Sequence, residues 1–329
     1  MRVSSAILCV FTVCTGVSAQ TPVATGTAPI GAACSELNEN ALTQVAQGQS
    51  AQAEKMLSAA LTTGNRFDHV CAGLTMHNMA ALLEISGRLS EAEVMAQRAV
   101  NTLQDSFPPD DPALLRPLQI LAAVQFELGK IARARESFKR MQSIRTTRPE
   151  DRALVCAMAA SLLDAEGKWR EAESQYYAAI QSLKDCGRGD TTDAGALLNG
   201  LGNLYIRKHR IGEAHRALDE ALAIFERAPD ASPWDRIKVL YTRGLLGVRQ
   251  GEWIQAEQDL ADALSIADHQ ARVEPTILRS LLINYAAVLK KNHRSEAPSI
   301  ARRAAALDSA PEDGNLVNVA ELAGKKTRK

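Results

Sequence analysis

The side chains with the widest chemical reach in this chain are its six cysteines and six histidines. Cys9 and Cys14 fall in a stretch with the form of a secretory signal. Met1-Arg2 leads into the mostly apolar run Val3 to Val13, and Val17-Ser18-Ala19 offers small or aliphatic residues before Gln20. Residues 1–19 are therefore expected to be a cleaved signal peptide, since the run is shorter than the ~20 residues a membrane span needs. Removing them leaves Cys34, Cys71, Cys156 and Cys186. Four cysteines permit three disulfide pairings; export to an oxidising compartment would allow bridges, and four buried or half-buried thiols are the equal alternative. There is no CxxC, and no Cys/His grouping has metal-ligand spacing, so no metal is expected. His69, His77, His209, His215, His269 and His293 form neither an HExxH motif nor an acid–base pair. Walker, GxSxG and GxGxxG signatures are missing as well. Pro108-Pro-Asp-Asp111 has the form of a loop and helix start. Neither an enzyme nor a bound cofactor is expected.

The bulk composition points the same way. The 329 residues are 46% hydrophobic but only 4% aromatic, and alanine and leucine dominate, which favours closely packed helices. Lys+Arg and Asp+Glu both total 38, so there is no basic excess of the kind nucleic-acid binding needs.

What could position any functional side chain is a repeat. One series of small residues is Ala41, Ala80, Ala122, Ala160, Gly202, Gly244 and Ala286; a second is Ala53, Ala92, Ala134, Ala172, Ala214, Ala256 and Ala297. Partners are 12 apart in six units and 11 apart in the last, and units recur every 38 to 42 residues. A third series, seven residues on, holds Ala60, Ala99, Met141, Ala179, Ala221, Ala263 and Ala304. Two antiparallel helices approach closely only where side chains are small, so the first series should face the second across each hairpin. Gly48, Gly87, Gly129, Gly167 and Gly251 suit the left-handed position that ends a first helix. In the remaining turns Asn292 is the next best substitute and His209 the poorest. Asp111-Pro112, Pro149-Glu150, Ser232-Pro233 and Glu274-Pro275 mark helix starts. The expected fold is all-α: about seven antiparallel hairpins, fourteen helices, wound into a right-handed superhelical solenoid. Residues 20–33 form a flexible linker, 34–308 the repeat domain and 309–329 a capping segment with a basic disordered tail. Cys34 and Cys71 lie near the starts of first helices in adjacent units, and Cys156 and Cys186 near the two ends of one hairpin, so those two bridges are the pairings expected if the thiols oxidise.

Asn199-Gly-Leu-Gly-Asn-Leu-Tyr205 with Gly212-Glu-Ala214, Gly167-Lys-Trp-Arg-Glu-Ala-Glu173 with Tyr176 and Ala179, and Gly87-Arg-Leu-Ser-Glu-Ala-Glu93 after Asn78-Met-Ala80 carry a resemblance. The chain resembles the tetratricopeptide repeat family over Cys34 to Asp308, and its longer period resembles the kinesin-light-chain subtype, here of an exported bacterial kind. It departs from the family at Met141, where alanine is usual, and at Arg243, where leucine is usual. Arg243, near the helix packing layer, must snorkel outward or find a partner, and the snorkelled stem is the simpler expectation.

The resemblance implies a non-catalytic scaffold whose first helices line a concave groove for a protein or peptide partner. The groove positions it implies are Asn38, His77, Gln119, Asn199 and Tyr241, with Asn203 one turn beyond Asn199. Paired Asn side chains suit a peptide backbone, although they serve equally to orient helices. Glu84, Glu127 and Asp164 early, against Arg207, Lys238, Arg249 and Lys290 late, would polarise the groove so that its later half favours acidic segments. Secreted or periplasmic placement follows from the signal. A self-associating envelope assembly factor, or a cytosolic adaptor with an uncleaved N-terminus, are the alternatives. No later segment could span a bilayer, and the oligomeric state stays open.

Overall fold

A computed structural model of the chain describes residues 30–46, 49–64, 68–228, 231–269 and 275–307. The expected signal, most of the linker, Gly48, Glu274 and the capping tail lie outside the described residues. Fourteen α-helices follow one another, with no strand among the described residues: α1 (Ile30–Ala46), α2 (Ser50–Gly64), α3 (His69–Ile85), α4 (Leu89–Gln104), α5 (Leu115–Glu127), α6 (Ile131–Ser143), α7 (Pro149–Ala165), α8 (Trp169–Asp185), α9 (Thr192–Arg207), α10 (Ile211–Arg227), α11 (Pro233–Gln250), α12 (Trp253–Asp268), α13 (Pro275–Lys291) and α14 (Ala297–Ala305). The first helix thus begins at Ile30, ahead of the expected start of the repeats. The helices fall into two compact units, an N-terminal one ending at Ala159 and a C-terminal one beginning at Ala160, with the boundary inside α7. Among the described residues no helix is long and apolar enough to cross a membrane.

Start signals act where the sequence places them. Asp111 accepts from the Ala113 amide at 2.8 Å and opens a 3₁₀ turn at Pro112. Ser232 accepts from Trp234 at 3.2 Å, with Pro233 in the first turn of α11. Asp68, which carried no sequence expectation, caps α3 by accepting from Cys71 at 2.9 Å.

The small-residue series lie at the packing surfaces. Within the N-terminal unit Ala41, Ala53, Ala80, Ala92, Ala122 and Ala134 are all 0% exposed, and Met141 is equally buried at its alanine position. In the C-terminal unit the spacing is set by van der Waals contact. A β-carbon added at Gly202 would lie 2.7 Å from Leu218 of α10, and one at Gly244 2.8 Å from Leu260 of α12. These glycines let α9 and α11 press against their hairpin partners.

First helices end in left-handed residues at Gly87, Gly129, Gly167 and Gly251, with φ between 72° and 80°. The turns without glycine use His209 (φ 58°) and His293 (φ 57°). The expectation for Asn292 is thus corrected. Asn292 directly follows α13, its amide still bonding the Val288 carbonyl, and its side chain donates to the Trp253 carbonyl at 2.9 Å and to Glu257 at 2.6 Å. The reversal falls one residue later. A β-carbon in this region costs about 1–2 kcal/mol, so His209→Gly is expected to raise stability by about 1 kcal/mol, checked by urea unfolding against wild type.

Candidate functional site

Lys238, Tyr241, Leu245 and Arg249 follow one another at intervals of three and four residues, which puts them on one face of α11. In the C-terminal unit this first-helix face keeps polar groups within reach of solvent. Lys238, Tyr241 and Arg249 on α11 and Asn203 on α9 are half-buried, while Arg207 and Lys290 are exposed. Asn203 donates to the Asn199 carbonyl of its own helix at 3.2 Å and to Thr242 of α11 at 3.4 Å. Tyr241 accepts from Asn284 of α13. Asn203 therefore links α9 to α11, while Asn199 is buried with its Oδ1 atom without a partner.

In the N-terminal unit two of the positions that correspond to Tyr241 serve packing. Asn38 is 8% exposed and Gln119 4%. Asn38 Nδ2 donates to Thr75 at 2.7 Å and to the Cys34 carbonyl at 3.0 Å, while its Oδ1 accepts from Asn78 at 2.8 Å. A groove-facing role for Asn38 and Gln119 is corrected accordingly: hydrogen bonds between α1 and α3 hold Asn38, and burial removes Gln119 from a ligand's reach.

His77 on α3 is half-buried, and its Nδ1 is enclosed without a partner. Burial, and then the charge of Arg116, holds its pKa down at about 4. Its folded pKa lies below the unfolded value, so the unfolded chain binds the extra proton and stability is lost as pH falls from 6.5 towards 4. His77→Gln should flatten the slope of unfolding free energy against pH across that window.

The expected charge polarisation is weaker than the sequence implied, because Asp164 is not a free early acid. It is 8% exposed and paired with Arg207. Arg243 does not snorkel. Its guanidinium meets Asp259, itself 1% exposed, through Nε at 3.1 Å and Nη2 at 2.7 Å, and Asp219 at 3.3 Å.

The expected Cys156–Cys186 bridge is also corrected, for both are free thiols. Cys156 lies in the middle of α7, about 10 Å of helical rise from its start, and Cys186 caps α8 with its thiol on its own Leu183 carbonyl at 3.2 Å. Cys34 and Cys71 do form a disulfide, joining α1 to α3.

A second pattern went unread in the sequence. The basic residue that follows the turn in one hairpin pairs with an acid just after the packing alanine of the preceding one: Arg88 with Glu54 (2.8 Å), Lys130 with Glu93, Arg210 with Glu173 (2.7 Å) and Arg294 with Glu257 (2.9 Å). Arg210 also lies 4.5 Å from the Tyr205 ring, and Tyr205 donates to Glu173 at 2.7 Å. The recurrence of a basic residue after five of the seven turns and Glu after Ala53, Ala92, Ala172 and Ala256 was the available signal. Among the described residues no three His, Cys, Asp or Glu side chains are placed to hold a metal. The chemistry such a surface offers is recognition through hydrogen bonds, charge and aromatic contact.

Comparison with known proteins agrees with this architecture. The tetratricopeptide repeat family matches residues 74–113 and 195–228, which fall on α3–α4 and α9–α10. The chain is similar to BtubC (BKLC) from P. vanneervenii, 22% identical, over 67% of this chain and 91% of that one, with a TM-score of 0.55. A tetratricopeptide repeat protein from Parabacteroides merdae is 17% identical over 89% of this chain and 98% of that one, TM-score 0.50. A Rap protein crystallised with Competence and Sporulation Factor is 12% identical over 90% and 78% respectively, TM-score 0.62. At these identities the likeness is one of fold, the helical-hairpin solenoid of the tetratricopeptide type. No curated protein is a significant match in sequence.

Proposed function

We propose that the protein is a non-catalytic scaffold that binds a peptide segment of a partner on the first-helix face of its C-terminal unit, outside the cytoplasm. The observation that carries this reading is that polar side chains on the first helices of this unit stay within reach of solvent, with Asn203, Lys238, Tyr241 and Arg249 all half-buried. Polar side chains at helical spacing suit an extended backbone, and the aromatic ring of Tyr241 adds contact area. The Rap protein crystallised with Competence and Sporulation Factor has the same kind of fold, which supports a scaffold role without naming a partner for this chain. Placement outside the cytoplasm is supported by the signal-like N-terminus and by the Cys34–Cys71 bridge, which oxidising compartments preserve.

Crosslinking tests the surface assignment. An amine-reactive crosslinker applied in the native compartment should join a partner segment at Lys238 and Lys290, and Lys238→Glu with Tyr241→Ala should reduce its recovery. Attachment confined to the exposed second-helix lysines Lys139 and Lys184 would count against it.

A further inference from the structure

We propose that Arg249, with Arg207 and the ring of His209, forms a subsite for an oxyanion carried by the partner segment, a carboxylate or a phosphate group. This deepens the peptide-binding reading and rests on it. Three other guanidinium groups of the C-terminal unit meet acids: Arg207 meets Asp164, Arg210 meets Glu173 and Glu213, and Arg243 meets Asp259 and Asp219. Arg249 does not. Among the described residues its Nη1 donates to the Ile206 carbonyl at 3.0 Å and lies 3.4 Å from His209 Nδ1, and its Nε is buried without a partner.

One nitrogen thus helps to close the C-terminal end of α9, and Nη2 is left without a bond to the described residues. Burial, and then the charge of Arg207, lower the pKa of Arg249 below the ordinary arginine value. An anion placed here would meet two guanidiniums of which only Arg207 is paired with an acid, Asp164. The arrangement does not recur one hairpin on, where Lys291 lies over the Trp253 ring at 5.4 Å. The turn that brings His209 beside Arg249 holds a left-handed residue of a kind that glycine supplies in four of the other hairpins, φ 58°. The forked guanidinium matches the two-oxygen edge of carboxylates and phosphates, and a peptide supplies these as Asp, Glu or a phosphorylated Ser or Thr.

The test uses the full chain, with inorganic phosphate and acetate as probes at ionic strength held constant with chloride. Phosphate or acetate should raise the unfolding midpoint of wild type, as a ligand of the folded state does. Arg249→Lys, which keeps the charge without the fork, should weaken that response about tenfold, and Arg249→Gln should abolish it. Protection by acetate at lower concentration than phosphate identifies the acidic side chain as the source; the reverse order identifies the phosphorylated one. No rise beyond that given by chloride, or an equal rise in Arg249→Gln, overturns the subsite. If Lys238 and Lys290 still crosslink the partner in that case, the surface assignment stands without it. Loss of those crosslinks from wild type, with the anion response intact, would instead remove the peptide and keep the anion.

Discussion

Replacing Arg243 with alanine is expected to destabilise the protein by about 3 kcal/mol, the lower end of what breaking a buried ion pair costs. The cost arises at Asp259, which is 1% exposed and would lose both bonds to the guanidinium. Gln255 still donates to Asp259 Oδ1 at 3.1 Å, and the Arg243 side chain is 23% exposed, which is why the upper range is not expected. The double variant Arg243→Leu, Asp259→Leu should recover most of the loss, since a buried pair exchanged for apolar side chains is often neutral or better. Urea unfolding of the two single variants and the double variant isolates the coupling. Additive losses would show that the pair does not hold α11 to α12.

Loss of the Cys34–Cys71 bridge carries the other large effect. Its cysteines are 37 residues apart, and closing a loop of that size in the unfolded chain is worth about 4 kcal/mol on the chain-entropy estimate. The bridge lies in a small core with Ala60 and Leu37, and Asn38 Nδ2 lies 3.8 Å and 3.7 Å from its two sulfurs. Cys34→Ser with Cys71→Ser should therefore lower the unfolding midpoint and raise amide exchange in α1 first, because α1 would keep only side-chain contacts to α3. Exchange that rises evenly through the N-terminal unit would show that the bridge stabilises the unit as a whole.

The hairpins were legible in the sequence because they depend on residue size. A small residue needs no particular rotamer to admit a neighbouring helix, so the periodic Ala and Gly positions translate directly into buried contacts at Ala41, Ala53, Gly202 and Gly244. The left-handed turns were legible where glycine marks them. Asn292 misled because the preference of asparagine for that backbone is weaker than the pull of its side chain towards the Trp253 carbonyl and Glu257. The candidate site was only partly legible. Whether a polar residue on a first helix faces a ligand or a neighbouring helix depends on a modest rotation about the helix axis, and Asn38 and Tyr241 hold the same place in the linear pattern, three residues before the packing residue. Arg243 shows the same difficulty, since its partner lies across the hairpin at Asp259, 16 residues on, and nothing local announces the pair.

One comparison bears most directly on the claim that close helix contact at small residues builds this fold. Gly202 and Gly212 belong to the same hairpin, but an added β-carbon would lie 2.7 Å from Leu218 at Gly202 and would meet nothing within 4 Å at Gly212. Gly202→Val is expected to lower unfolding free energy by about 1–3 kcal/mol through overpacking. Gly212→Val should leave it unchanged or raise it by about 0.5 kcal/mol, since valine is the better helix former. Equal tolerance of valine at the two positions would contradict the packing on which the hairpin stack rests.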